Sequence, residues 1–243
     1  ASFVVSGGVT LSLPSVTSYS HASSGDSQTR TLRAEGIGSR IELPNVLSLT
    51  NGTNNNSRLN VEALSGGVVD LSGVKEITDP GSGDTRWRSV SVTADGPGSR
   101  VELDALTGFT DVYANTTSGD GLYSNITARN GGTVDTPVLE TLQGIYLLLD
   151  GTGIMPIAQI TSFISGRVAL SGVNRDFTSL ADATSTVFEI SGVRAGLGSL
   201  TRLRYGTVVL TGGGTADLSV ASDIDGASFV VSGGVTLSLP SVT

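Results

Sequence analysis

The chain of 243 residues contains no cysteine, so it has neither a disulfide framework nor a thiolate site, and its redox compartment cannot be read from cysteine usage. Aromatic residues make up only 5% and there is one tryptophan, which fits a narrow core that cannot hold large rings. No apolar run reaches the ~18 residues of a membrane span. No signal peptide opens the sequence, as expected of a segment excised from a longer chain. Lys and Arg total 14 against 22 Asp and Glu, a net charge of −8, which argues against a nucleic-acid partner because a phosphate backbone calls for clustered cations. G-x-S-x-G, Walker A and H-E-x-x-H patterns are missing as well.

What is present is repetition. Residues 1–17, ASFVVSGGVTLSLPSVT, return letter for letter as residues 227–243, an offset of 226 residues. The chain reads as a single domain, 1–243, holding one 226-residue tandem unit plus an overlap into the next. A shorter nine-residue motif, Φ-x-L-x-x-Φ-x-x-Φ with Φ apolar, sits inside it. Copies begin at Leu11, Ile41, Val69, Val101, Val134, Val168, Ala195 and Ala216, and the motif restarts at Leu237. The copy at Val168 is irregular, with Phe177 one place late.

Counting the third position of each copy gives eight coils per unit. Each nine-mer is preceded by an alternating pair with both side chains on one face: Leu32/Ala34, Val61/Ala63, Val92/Ala94, Ile126/Ala128, Ile160/Ser162, Phe188/Ile190, Val208/Leu210 and Phe229/Val231. Gly/Ser corners such as Ser65-Gly66-Gly67 and Gly131-Gly132 separate the two. Period-two alternation over three to five residues predicts short strands, and the Gly/Ser/Asn clusters predict turns. The shortest coil, 21 residues from Leu197 to Leu218, leaves no room for a helix and two strands. The fold expected is therefore all-β, a parallel β-solenoid of three-stranded coils, in which each coil buries its apolar side chains against its neighbours. At about 4.8 Å per coil, eight coils predict an axial repeat of roughly 38 Å. Extra length falls at one corner and gives six successive coils a loop, including 20–30, 50–58, 78–88 and 111–125, while the last two are bare. Insertions confined to one corner build a ridge, the face where solenoids often bind.

The G-S-R-V-E-L-x-A-L and G-G-V-x-L-x-x-V coils resemble the parallel β-helix repeats of very large bacterial cell-surface and secreted proteins of the adhesin and exoprotein type. The resemblance implies an extracellular, secreted or cell-surface fibre or stalk, and the lack of a strict six-residue period favours a right-handed helix over the left-handed hexapeptide class. Its partner would be itself, by head-to-tail continuation or as a homopolymer, with glycans or a cell surface as further partners. L-x-x-V-x-x-L spacing is also similar to leucine-rich repeats, but no Asn ladder position or helical segment completes that unit. A carbohydrate-binding adhesin using the loop ridge is the alternative reading. Pectate-lyase-like and tailspike-like β-helices are similar in outline and make a polysaccharide lyase or hydrolase a third. Their chemistry needs paired carboxylates with Arg or Lys. The chain is expected not to be an enzyme, because its only histidine, His21, reads as a solvated residue of a Ser-rich loop near Asp26.

One outward position stands out. The second residue of the nine-mer reads Glu42, Asp70, Glu102 and Asp135 in four consecutive coils, a column of like charge, with Arg40 and Arg100 two residues away on the same face. It reads either as a solvated ladder that keeps the sheet soluble or as a metal site in which Ca²⁺ bridges the carboxylates. No cofactor is otherwise required. Four N-x-S/T sequons, at Asn51, Asn55, Asn115 and Asn125, lie in or beside the loops and matter only in a glycosylating host. Three S-G-D triplets, at 24–26, 82–84 and 118–120, read as turns in which Asp caps its own backbone.

Overall fold

The structure, a computed structural model, describes residues 1–113 and 123–241. Among these residues there is no helix, and every strand pairing is parallel. Ten strands, from Phe3–Ser6 to Ser228–Val231, build the longest sheet, in strict chain order. A five-stranded sheet runs from Thr10–Ser12 to Thr133–Asp135, and a six-stranded one from Tyr19–Ser20 to Ser162–Ile164. A three-stranded sheet, Arg175–Asp176, Arg194–Gly196 and Thr215–Ala216, takes the place of the five-stranded one in the later coils. Each coil thus visits the long sheet, then the second, then the third, which makes the chain an all-β parallel solenoid.

The alternation of side chains explains the strands. Leu32, Val61, Val92, Ile126, Leu147, Val168, Phe188 and Val208 stack in one register column of the long sheet, and each is buried. Within the nine-mer, Ile41, Leu43, Val46 and Leu49 all point inward, as do Val101, Leu103, Leu106 and Phe109. Each fully buried Val, Leu or Ile is worth roughly 1.5–3 kcal/mol, and only the neighbouring coils provide that burial. Glycine is required at two of the corners where the chain leaves the long sheet, whereas Ser39 and Ser99 take the equivalent position in coils 2 and 4. A Cβ on Gly67 would lie 2.2 Å from the Ala34 carbonyl oxygen of the coil below, and one on Gly132 would lie 2.4 Å from that of Ala94.

The coil count differs from eight. From Val5 to Val231 the long sheet makes nine register steps, through Ala34, Ala63, Ala94, Ala128, Leu149, Leu170, Ile190 and Leu210. The additional coil begins with Ile145–Leu149 and continues through Met155, Ile157, Ile160 and Phe163, all inward. Its nine-mer, Met155 to Phe163, carries Ile157 where most copies carry Leu. The irregular copy at Val168 is not a nine-mer, because Arg167–Leu170 pairs inside the long sheet. The motif of that coil runs from Arg175 to Ala183, and Phe177 falls in place as its third residue. Ile160 and Ser162 are likewise not a pair of the long sheet, since Ser162–Ile164 belongs to the six-stranded one.

Loops also occupy fewer corners than six. The connection from the third strand back to the long sheet is long in coils 1–4 only, spanning 21–28, 51–57, 80–88 and 112–123, whereas a single residue, Gly144, joins Thr141–Gln143 to Ile145–Leu149. The first three loops stack as extra rungs. Ser27 N–H donates to the Asn55 carbonyl at 2.8 Å, Asn56 N–H to that of Arg86 at 2.9 Å, and Asp84 N–H to that of Thr53 at 2.9 Å. Trp87 stands exposed on this ridge.

Candidate functional site

The acidic column forms as the alternation requires. Glu42, Asp70, Glu102 and Asp135 are register partners in successive strands of the five-stranded sheet. Arg40 reaches along the column. Its Nε donates to Glu42 Oε1 at 3.0 Å, and its Nη2 to Asp70 Oδ2 at 3.2 Å and Glu102 Oε2 at 2.8 Å. Arg100 Nη2 donates to Asp135 Oδ2, and Arg100 Nε lies 3.4 Å from Glu102 Oε1. One guanidinium therefore spans coils 2, 3 and 4, and the second ties coil 4 to coil 5. Asp70 Oδ1 is also filled, by Ser72 N–H at 3.0 Å and Ser72 Oγ at 2.7 Å. Among the described residues no group of three or more His, Asp or Glu is placed to hold a metal ion. A divalent cation at this column would compete with Arg40 for the same oxygens.

A second polar column lies inside the rod. Two residues after the last apolar position of the nine-mer, His21, Asn51, Asp79 and Asp111 follow one another in coils 1–4, and all four are buried. His21 is 1% exposed, which corrects its reading as a solvated loop residue; of the two, only Asp26 faces solvent. Asn51 Nδ2 donates to Asp79 Oδ2 at 2.8 Å and to the carbonyls of Ser57 at 2.9 Å and Ser89 at 3.2 Å. The Asn51 amide oxygen lies 3.1 Å from His21 Nδ1 and can only accept, which assigns the proton to Nδ1 and leaves the buried Nε2 without a hydrogen bond. Arg88 enters from the third loop. Its Nη2 is 2.9 Å from Asp79 Oδ1, and it donates to the carbonyls of Ser82, at 2.8 Å, and Pro80. Asp111 Oδ2 accepts from Ser124 N–H at 3.1 Å and Oγ at 2.8 Å.

Two buried carboxylates thus lie near one guanidinium, Asp79 in contact with it and Asp111 held by Ser124. Burial first, then the charge of Asp111, raises the Asp79 carboxyl to about 7, against the Asn51 hydrogen bond and Arg88. Burial also raises Asp111 and lowers His21. Chemically the column anchors loops: it fixes both ends of 51–57 and of 80–88 from within. The recurrent Ser20-His21, Thr50-Asn51, Thr78-Asp79 and Thr110-Asp111 dipeptides were the sequence signal for it.

Burial also removes Asn51 as a glycosylation acceptor in the folded chain. Asn55 and Asn125 donate to the Arg86 carbonyl, at 3.4 Å, and to Ser91 Oγ, at 2.8 Å. Asn115 and the triplet 118–120 lie outside the described residues. At 82–84 the Asp turn forms as expected, with Arg86 N–H donating to Asp84 Oδ1 at 3.2 Å. On the three-stranded sheet a depression of about 230 Å³ has Asp176 and Asp217 on its walls. Asp176 is paired with Arg194 at 2.6 Å, and Asp217 accepts from Ser219 N–H at 3.1 Å, so both carboxylates have structural partners.

The repeated segment occupies both ends of the long sheet. Phe3–Ser6 pairs with Thr29–Glu35 above it, and its copy Ser228–Val231 pairs with Thr207–Thr211 below. Phe3 meets Leu32 and Phe229 meets Val208, so the same side chains fit both surfaces in the same orientation. The chain matches no protein-family model, no curated protein and no solved structure.

Proposed function

We propose that this chain is one structural unit of a long extracellular fibre, stalk or surface protein, a rigid spacer that carries a loop ridge on four of its nine coils. The observation that supports this most is the double seating of the seventeen-residue segment. Coil 1 has one face that fits coil 2, and the copy of its sequence fits the top of coil 9, so a further unit adds to the rod without a break in register. With nine coils at about 4.8 Å the unit advances roughly 43 Å instead of 38 Å. The unbroken parallel pairing of the long sheet suits a member that carries load along its axis, because every coil is tied to the next, and the buried column and the ion pairs add local ties.

The test is a chain in which residues 1–226 occur twice before the final segment. Small-angle scattering or electron microscopy should show a rod lengthened by about 43 Å at constant cross-section. A compact pair of lobes, or a bend at the joint, would overturn the reading.

A further inference from the structure

The only tryptophan of the chain sits where such a side chain is hardest to accommodate. Ser27, Asn56 and Trp87 each lie two residues before the register partners Thr29, Arg58 and Ser89, where the first three loops rejoin the long sheet. All three have a left-handed backbone, with φ of 57°, 53° and 62°. Asparagine is at home in that conformation, whereas a bulky aromatic is an outlier that its surroundings must hold in place. They do so from both sides. The Arg86 carbonyl accepts from Asn56 N–H at 2.9 Å, and the Arg88 side chain, 2% exposed, pairs with Asp79 inside the rod. Trp87 is still 46% exposed, so an anchored backbone presents its ring to solvent.

Two further rings continue from it. Tyr123 lies two residues before Asn125, the partner of both Ser91 and Tyr146, so Trp87, Tyr123 and Tyr146 step diagonally across three successive strands of the long sheet. Alternation with the buried Ser124, Ile126, Ile145 and Leu147 turns both tyrosines outward. Their ring centroids are 6.4 Å apart, and the Arg167 guanidinium lies 5.1 Å from the Tyr146 centroid. Arg167 donates to Glu189 from Nε at 3.0 Å and from Nη2 at 2.7 Å, so the charge at this end of the row is balanced.

We infer that the diagonal from Trp87 through Tyr123 and Tyr146 to Arg167 is a binding platform for a neutral oligosaccharide chain. A sugar ring offers a face of C–H groups edged by hydroxyls, and aromatic rings beside fixed hydrogen-bonding groups meet both. An anionic chain would call for clustered cations, but Glu189 neutralises Arg167 and Asp84 neutralises Arg86. A stable protein partner would bury about 800 Å² on this side, far more than a single row of rings supplies. The platform lies within one unit and does not depend on how units join.

The lone tryptophan makes the test direct. The full chain is titrated with cellohexaose, chitohexaose, maltohexaose and mannohexaose, followed by Trp87 emission and by calorimetry. At least one should bind and shift the emission, with an affinity unchanged from about 0.05 to 0.5 M NaCl. Trp87→Ala and Tyr146→Ala should each weaken that binding at least about tenfold without lowering the melting temperature. Tyr205→Ala, at an exposed tyrosine beside Thr207–Thr211, should leave it unchanged. Failure of all four sugars to bind at about 5 mM, or an affinity that both alanine variants retain, overturns the inference. Salt-sensitive binding of heparin in their place, or self-association that Trp87→Ala removes, overturns it too, by assigning the row to an anionic chain or to a protein interface. The fibre reading stands or falls separately, on the length of the doubled rod.

Discussion

Leu71 and Leu103 are fully buried at the third position of their coils, with a coil above and a coil below. Leu71→Asp would place an unpaired carboxylate there at a cost of several kcal/mol, visible as a large fall in the denaturation midpoint. Asp104, exposed at the next outward position, should tolerate Asn with a change within about 0.5 kcal/mol. Ser72, which also alternates outward, is not an equivalent control, because its hydroxyl donates to Asp70. Equal losses at Leu71 and Asp104 would mean the faces are exchanged.

The buried carboxylates give a pH dependence with a definite sign. Asp79 titrates near 3.8 when unfolded and near 7 when folded. Between those values the folded chain holds a proton that the unfolded chain has released, so the contribution of this group to stability falls as pH rises from about 4 to 7. Asp150 acts oppositely. Hydrogen bonds from Asn130, Gly153 and Thr152 overcome its desolvation and hold it at about 2, so its contribution is lost only as pH falls below the ordinary carboxylate range. Melting temperature should therefore decline between pH 5 and 7.5. Asp111→Asn, which removes the neighbouring charge, should flatten that decline, and an unaltered slope would remove the pair as its cause. These residues were legible only as a recurrent Ser/Thr dipeptide after the motif, since polarity argues for a loop and burial comes from coils stacked above and below.

Within one coil the alternation of side chains made the second and third strands legible, and with them the outward column. One coil escaped because Ile157 replaces Leu in its motif, and because Ile145–Leu149 follows a one-residue corner where the earlier coils carry loops. The column also shows what a register argument leaves open: the strands fix which carboxylates stack, but only side-chain reach shows Arg40 spanning three of them. Its pairs are partly exposed, at 15–32% for Arg40, Glu42, Asp70 and Glu102, so each is worth about 0.2–1 kcal/mol. Arg40→Gln should lower stability by about 1 kcal/mol and leave three carboxylates short of a counter-ion. Calcium bridging and arginine pairing then separate in one experiment. With Arg40 present, millimolar Ca²⁺ should raise the melting temperature no more than NaCl at equal ionic strength, and with Arg40→Gln it should raise it specifically. A calcium-specific rise in the parent chain that Glu102→Gln abolishes would assign the column to the metal instead.

At the scale of the whole rod, the backbone of each coil pairs only with its neighbours, so stability is close to a sum of local terms that need not be uniform. The long sheet pairs over seven residues between Thr29–Glu35, Arg58–Leu64 and Ser89–Asp95, but over five or four between Val187–Ser191, Thr207–Thr211 and Ser228–Val231. In coils 7–9 the second sheet shrinks to two-residue pairings, and the third to single bridges at Asp182, Arg202 and Asp223. The buried column and the loops reinforce only coils 1–4. Opening should therefore start at coil 9 and move inward, with the body around Ser89–Asp95 opening last. Amide hydrogen exchange should be at least about tenfold faster in Thr207–Thr211 than in Ser89–Asp95, a gap of ~1.4 kcal/mol in opening free energy. Appending a second unit should slow exchange in Thr207–Thr211 and leave Ser89–Asp95 unchanged, because only the end coils gain a neighbour. Uniform protection along the rod, or a second unit that slows every coil equally, would show that the solenoid unfolds as one block and that its coils are not independent rungs.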